Sequence, residues 1–157
     1  MIVLDFQSEQ EPLPEEGPGD KVAQQNKEQI LSDLVDILDS VGKTGNKSKL
    51  LIDFINRERK ATTALGDGIA VPHIRTMQAK ELIMVVARSK EGYDFDAPDG
   101  KKVHLFFMMA APPYDDSLYL KVFKALSENL RYDQFRMELM EAEEPYDIIR
   151  AFRKYES

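Results

Sequence analysis

One histidine, at the end of a short apolar run, is the residue of this chain best placed to do chemistry. Residues 69 to 71 are apolar and Pro72 follows them, so His73 stands at the exit of the run. Proline cannot donate to a strand ladder, and we therefore expect a strand to end there. Upstream, the two glycines of the LGDG stretch at 65 to 68 predict a tight turn. His73 is expected on a strand-to-loop corner, where side chains meet partners.

The chemistry that suits this histidine is nucleophilic attack on phosphorus. Imidazole can be phosphorylated on nitrogen, and it attacks best when its other ring nitrogen is held by a hydrogen bond. Asp67, Thr62 and Thr63 lie near enough in sequence to hold it. Arg57, 16 residues before His73, could fold back and give bidentate cover to a new charge of roughly −1.5 to −2. The residue types alone leave open that His73 is an ordinary surface histidine and Arg57 an ordinary charged helix end.

The run from Arg57 to His73, RERKATTALGDGIAVPH, makes the phosphoryl hypothesis more specific. It resembles the signature RExxxxTxLGxGIAVPH of the type-2 IIA domains of the bacterial phosphoenolpyruvate:sugar phosphotransferase system. These are the mannitol, fructose and nitrogen-regulatory IIA proteins. The match is one ungapped block, and weaker similarity extends over nearly the whole chain. The resemblance implies one α/β domain, in which helices flank a small mixed β-sheet as a sandwich.

The resemblance also implies roles for single residues. His73 would accept a phosphoryl group from the phosphohistidine of an HPr-type carrier, and Arg57 would neutralise the phosphoryl oxygens. Asp67 stands at the position of an acidic residue found near the family's active histidine, with Thr63 and Tyr119 as supporting groups. The phosphoryl group would pass to a IIB partner, or the phosphorylated state would control a transporter or kinase. Such a transfer needs no metal or other cofactor, because the phosphoramidate is already activated.

Two positions depart from the family pattern. Ile74 follows the active histidine where the family usually has glycine, and a bulky side chain there could alter how closely a partner approaches. Tyr119 stands where the family usually has a second histidine, at the start of the helix after the last strand. Tyrosine can donate one hydrogen bond to a phosphoryl oxygen but cannot supply the positive charge of an imidazolium. These changes affect the expectation of efficient sugar relay more than that of the fold.

Three functions of different classes fit these residues. The chain could be a phosphoryl carrier, a regulator whose phosphorylation state selects its partner, or a binding module on the same fold that is never phosphorylated. A hydrolase with His73 as general base is disfavoured, because no serine or carboxylate is placed as its partner.

Length and composition narrow the choice. At 157 residues, of which 43% are hydrophobic, the chain suits one globular domain. It has no cysteine, and its two histidines lack the carboxylate cluster of a metal site. No apolar stretch approaches the ~20 residues of a membrane span and no signal peptide is evident, so we expect a cytoplasmic location without membrane insertion. The net charge is −7, and residues 1 to 20 hold six acidic and no basic side chains, which argues against a nucleic-acid surface.

The order of elements predicts how the site is held. Residues 1 to 22 are expected to form a strand plus an exposed acidic Pro/Gly-rich loop or, alternatively, a disordered tail, and residues 23 to 157 form the IIA-like domain. The predicted helices and strands cover a small sheet. They are a helix from Asn26 to Gly42, a helix from Ser48 to Lys60, the strand before His73, buried strands at 82 to 87 and 102 to 110, a helix capped by Asp115 or Asp116, and helices at 134 to 140 and 146 to 155. The second histidine, His104, falls inside a strand and is predicted to be a hydrogen-bonded structural residue.

Overall fold

The structure, a computed structural model, describes residues 1 to 115 and 117 to 155. Its strands are β1 (Ile2–Val3), β2 (Ala64–Gly66), β3 (Ile69–Ala70), β4 (His73–Arg75), β5 (Ile83–Tyr93) and β6 (Val103–Ala111). Its helices are α1 (Asp20–Asp39), α2 (Lys47–Lys60), α3 (Leu118–Asn129), α4 (Asp133–Glu141) and α5 (Pro145–Lys154). None of the helices in these two ranges is both long and apolar enough to cross a membrane.

One mixed sheet runs through the molecule, with helices on both of its faces. The strand order is β1-β5-β6-β3-β2, and β4 also pairs with β6, so β6 is the central strand. Successive residues of a strand point to opposite faces. In β6, Phe106 and Met108 pack into the core formed with α1 and α2, whereas Phe107 and Met109 pack into the core formed with α3, α4 and α5. The predicted α/β sandwich is confirmed.

The strand that leads to His73 does not end at Pro72. β3 pairs in parallel with β6, with Ile69 opposite Leu105, and β4 resumes the pairing with His73 opposite Met109. The two pairs have the same offset in sequence, so the chain keeps its register across the proline. Pro72 removes one donor from the ladder, yet its carbonyl oxygen still accepts from the Met109 N–H at 2.8 Å. The predicted strand-to-loop corner is therefore wrong, and His73 is the first residue of a continuing strand.

The first helix begins earlier than the sequence predicts. α1 starts at Asp20 rather than at Asn26, and it ends at Asp39, before the predicted stop at Gly42. Asn26 does not cap the helix, because its side chain exchanges hydrogen bonds of 2.8 and 2.9 Å with the backbone N–H and carbonyl of Glu11. These bonds fasten the acidic segment before α1 to the helix surface. The spacing that predicted a cap at Asn26 therefore does not mark the start of a helix, because this side chain binds a loop residue instead.

The first residues form a short strand at the edge of the sheet. β1 pairs in parallel with β5, with Ile2 opposite Val86. Phe6, just beyond it, is 4% exposed and packs into the core with α1 and α2. Burial of this apolar side chain holds the start of the chain on the sheet.

The later helices lie close to their predicted positions. α2 is capped by Asn46, whose side chain accepts from the Lys49 N–H at 3.0 Å. At the start of α3 the Asp115 carboxylate accepts from the Leu118 N–H at 3.0 Å. Asp116, the alternative cap, lies outside the described residues.

The two long strands carry the buried apolar runs that the sequence predicts. β5 continues beyond the predicted end at residue 87 as far as Tyr93, because it pairs antiparallel with β6 along most of its length. His104 of β6 is half-buried, and its Nδ1 lies 3.0 Å from the carbonyl oxygen of Ser89. The prediction of a hydrogen-bonded structural histidine is confirmed.

A buried arginine fastens α4 to the sheet. Arg88 of β5 is 3% exposed. Its Nη1 donates to the carbonyl oxygens of Leu139, Met140 and Ala142 at 3.0, 3.0 and 2.6 Å, and its Nε donates to that of Leu4 at 3.2 Å. The last carbonyls of a helix have no partner within the helix. One guanidinium therefore donates hydrogen bonds both to the carbonyls at the end of α4 and to a carbonyl of the segment after β1.

We expect Arg88→Met to lower the free energy of unfolding by about 3 kcal/mol, because buried carbonyls lose their donor while the apolar volume is largely kept. Urea unfolding followed by circular dichroism measures this loss. Lys90→Met, at an exposed position of the same strand, is the matched control and should change stability little. A loss below about 1 kcal/mol for Arg88→Met would contradict the assigned role.

Candidate functional site

His73 lines an open cleft between α2, β4 and the start of α3. The cleft has a volume of about 630 Å³. Basic side chains that line it are Arg57 and Lys60 from the last turn of α2 and Arg75 from the end of β4. Tyr119, from the first turn of α3, lines the same cleft. The structure thus brings together three of the residues predicted from the sequence, His73, Arg57 and Tyr119.

The imidazole of His73 is held by a backbone carbonyl. Its Nδ1 lies 2.6 Å from the carbonyl oxygen of Val71. A carbonyl oxygen can only accept, so the proton of the neutral ring must lie on Nδ1. Nε2 is then the unprotonated nitrogen with a lone pair for attack. The prediction that Asp67, Thr62 or Thr63 holds the ring is wrong, because the Val71 carbonyl does so.

Aromatic side chains of α3 surround the ring of His73. Its centroid lies 4.5 Å from that of Phe123 and 6.2 Å from that of Tyr119. Burial lowers the pKa of His73 because a cation is poorly solvated there, and the positive charge of Arg57 lowers it further. The hydrogen bond to Val71 and the negative charge of Glu58 act in the opposite direction. The net lowering of the pKa favours the neutral imidazole at pH 7.

An NMR titration of the His73 ring signals should give a pKa below the ordinary value of about 6.5. Because the folded state then holds this proton less tightly than the unfolded state, the stability that His73 contributes is complete above the unfolded pKa. It is lost as the pH falls through the folded pKa. The same titration in denaturing urea is the control and should return about 6.5. A midpoint at or above this value in the folded protein would contradict the expectation.

Two of the basic groups of the cleft, Arg57 and Arg75, contact neighbouring elements. Arg57 Nη1 donates to the carbonyl oxygen of Ala61 at 2.9 Å, just beyond the end of α2. Arg75 places its guanidinium carbon 5.1 Å from the ring centroid of Tyr119, as a cation–π contact. Sequence reasoning missed Arg75 and Lys60. The signal for Arg75 was its position two residues after His73, since alternate residues of a strand share a face.

Thr63 lies behind the site rather than in it. It is 3% exposed, and its hydroxyl and its backbone N–H both donate to Glu58 Oε1 at 3.0 Å. Its carbonyl oxygen accepts from the Val71 N–H at 3.0 Å. Thr63 therefore contacts the residue that holds His73, but not His73 itself.

Asp67 is not brought to the cleft. With Gly68 it forms the turn of the β2–β3 hairpin, at φ values of 55° and 79° that a primed turn requires. Next to it, the Gly68 carbonyl accepts from the His104 N–H, whereas His73 lies opposite Met109. The step of five residues along β6, from His104 to Met109, places the turn roughly 16 Å from His73 along the strand. The predicted turn is confirmed, and Asp67 has a local role in it.

The two departures from the family pattern have different surroundings. Ile74 is 7% exposed and packs into the core with α1 and α2. Its bulk is therefore directed mostly inward rather than towards an approaching partner. Tyr119 is 7% exposed, and burial raises the pKa of its hydroxyl. It stays a neutral group beside His73, with the Arg75 cation against its ring.

Comparisons with known proteins agree with this geometry. The family model described as phosphoenolpyruvate-dependent sugar phosphotransferase system, EIIA 2, matches residues 20–155. The PTS system fructose-specific EIIA component of Haloferax volcanii is 36% identical over 117 residues, which are 74% of this chain and 76% of that protein. The PTS system fructose-specific EIIABC component of Bacillus subtilis is 33% identical over 128 residues, which are 82% of this chain but 20% of that protein. Nitrogen regulatory protein IIA-Ntr from Neisseria meningitidis has the same fold, with a TM-score of 0.80 at 24% identity over 96% of this chain and 92% of that one.

Proposed function

The chain belongs to the EIIA 2 family of the phosphoenolpyruvate-dependent sugar phosphotransferase system, and we propose that it is a phosphocarrier whose acceptor atom is Nε2 of His73. The observation that carries the proposal is the 2.6 Å hydrogen bond between Nδ1 and the Val71 carbonyl. It leaves one unprotonated nitrogen on a ring that lines a cleft with basic side chains. Nucleophile, charge and space for a phosphoryl group thus occur together.

The proposed donor is the phosphohistidine of an HPr-type protein. The Nε2 lone pair of His73 forms a bond to phosphorus, while the bond from phosphorus to the donor nitrogen breaks and its electron pair returns to that nitrogen. The Nδ1 proton stays in its hydrogen bond to Val71 throughout. The donor ring, protonated on its other nitrogen, leaves as a neutral imidazole, while the phosphorylated His73 ring takes up the positive charge. No proton moves between the two rings, so the protein contributes position and charge. A donor of this kind implies a cytoplasmic location for the reaction.

Positive charge is the second requirement of the transfer. A phosphoryl group adds roughly −1.5 to −2 charge at neutral pH. Arg57 is the basic side chain whose charge acts on His73 directly, since it lowers the pKa of that ring. We assign to Arg57 the binding of the phosphoryl oxygens, because a guanidinium can bind two of them at once. Arg75 and Lys60 add charge to the cleft, and the Tyr119 hydroxyl is a neutral donor beside it.

The phosphoryl group has two proposed destinations, a IIB partner or a regulatory state that a transporter or kinase recognises. Tyr119 favours the second, because a neutral phenol stands beside His73 where a second imidazole would allow fast relay. Relay predicts rapid loss of the phosphoryl group to a IIB protein. Regulation predicts a long-lived phosphorylated form and a partner whose affinity differs between the two forms.

Incubation with phosphoenolpyruvate, enzyme I and HPr, followed by intact mass, tests the proposal. We expect the gain of one acid-labile phosphoryl group. Its lifetime with and without a candidate IIB protein separates relay from regulation. No gain, with an HPr that is active on another IIA protein, would favour the alternative of a binding module that is not phosphorylated.

A further inference from the structure

Glu58 carries a buried charge that the transfer itself does not use. Although it follows Arg57 directly, its side chain points inward and is 3% exposed. Its Oε1 lies 3.1 Å from Nζ of Lys27 in α1, whose side chain is 7% exposed. Burying an ion pair removes both charges from water, so such pairs contribute little stability by themselves. A contribution to stability therefore does not by itself explain why a charged pair is buried at this position.

The Glu58 carboxylate holds one segment of the chain. Oε1 accepts from Lys27 and from both donors of Thr63, the backbone N–H and the hydroxyl. Within the described residues, Oε2 is buried and accepts no hydrogen bond. All the hydrogen bonds of the carboxylate in the described residues therefore go to Oε1, the oxygen that fixes Thr63.

From Thr63, two further hydrogen bonds lead to the nucleophile. The Thr63 carbonyl accepts from the Val71 N–H at 3.0 Å. The Val71 carbonyl in turn lies 2.6 Å from Nδ1 of His73. Movement of Thr63 would shift Val71 and with it the acceptor of the Nδ1 proton. In water the neutral imidazole ring favours the proton on Nε2, so the opposite tautomer depends on this acceptor.

We propose that Glu58, with its charge balanced by Lys27, is a positioning residue that keeps the proton of His73 on Nδ1 and so makes Nε2 the nucleophile. It acts through Thr63 and the Val71 carbonyl and touches neither the ring nor the phosphoryl group. Its consequence for phosphoryl transfer depends on the function proposed above. Its effect on the resting ring does not, and the two can fail separately.

Two double variants isolate the role of the acceptor oxygen. Glu58→Gln with Lys27→Met replaces the ion pair by neutral groups but keeps an oxygen that can accept from Thr63. Glu58→Leu with Lys27→Met is equally uncharged and has no acceptor. The readouts are the His73 tautomer, from ¹⁵N chemical shifts of the unphosphorylated protein, and the rate of phosphoryl acceptance from HPr.

The glutamine variant should keep the proton on Nδ1 and a rate within about twofold of the wild type. The leucine variant should show the second tautomer and accept the phosphoryl group about tenfold more slowly, which corresponds to about 1.4 kcal/mol. If both variants keep the wild-type tautomer, Glu58 is only a structural ion pair and the proposal is overturned. Absence of labelling in every variant would count against the proposed function, while the tautomer would still decide the role of Glu58.

A milder pair of variants covers the case in which the leucine variant does not fold. Thr63→Val removes the hydroxyl that donates to Glu58 with little change of shape, and Thr63→Ser keeps it. We expect the second tautomer of His73 in the valine variant and not in the serine variant. Identical ¹⁵N spectra of the His73 ring in the two variants would overturn the proposal.

Discussion

Replacing His73 with alanine is expected to abolish phosphoryl transfer to the chain. Among the described side chains that line the cleft, no other combines an unprotonated nitrogen with a held proton, because the other nitrogen groups are the cationic Arg57, Lys60 and Arg75 and neutral amides. Incubation with phosphoenolpyruvate, enzyme I and HPr, followed by intact mass, should give a mass gain for the wild type and none for the variant. We expect the loss to exceed the roughly 10³-fold reach of a single charge effect, since the attacking atom itself is removed.

The matched control is His104→Ala. His104 is the only other histidine of the chain, and its ring is engaged with the Ser89 carbonyl of a neighbouring strand. This variant should be labelled like the wild type, provided that circular dichroism shows it folded. Equal labelling of the two variants would remove His73 from its assigned role.

The second large effect is expected at Arg57. Arg57→Met should slow phosphoryl acceptance about 100-fold, because one preorganised charge at a developing anion is worth about 3 kcal/mol. The variant also removes a charge that lowers the pKa of His73. Rates should therefore be compared near pH 8, where the ring is neutral in both proteins. Stopped-flow mixing with phosphorylated HPr measures them.

Arg59→Met is the control for this change. Arg59 lies in the same last turn of α2 but is bound to Glu28, at 2.6 and 3.1 Å, on the exposed surface. Its loss should leave the rate within about twofold of the wild type, because an exposed ion pair contributes at most about 1 kcal/mol. A wild-type rate for Arg57→Met would show that the phosphoryl charge is met elsewhere in the cleft.

The sequence predicted the sandwich from local patterns, and it predicted three members of the cleft, His73, Arg57 and Tyr119, from the family resemblance. Apolar periodicity predicted the helices, and the family resemblance of the run from Arg57 to His73 predicted the phosphoryl acceptor and its charge partner. The start of α1 was missed, since Asn26 has the spacing of a cap while its side chain binds Glu11 instead. The local sequence pattern does not distinguish an asparagine that caps a helix from one whose side chain binds a loop.

The part of the site that could not be predicted depends on backbone hydrogen bonds and on strand register. Every residue has a carbonyl, so no residue type marks Val71 as the acceptor of the His73 proton. Asp67 is the acidic residue closest to His73 in sequence and was therefore predicted near its ring, but it does not line the cleft. Glu58 lies farther away in sequence, yet Thr63 and Val71 connect it to the ring. The pairing of β3 and β4 along β6 shows that the turn with Asp67 lies away from His73.

The central strand β6 belongs to both cores, with Phe106 in one and Phe107 in the other. We expect that neither layer of helices unfolds alone, because its loss would expose one face of the strand on which the other layer packs. We therefore expect the β6 amides to exchange with deuterated solvent only through global opening of the domain. If that is so, the helices that carry Arg57 and Tyr119 unfold as one cooperative unit, and we expect a partner that binds either of them to rigidify the other as well.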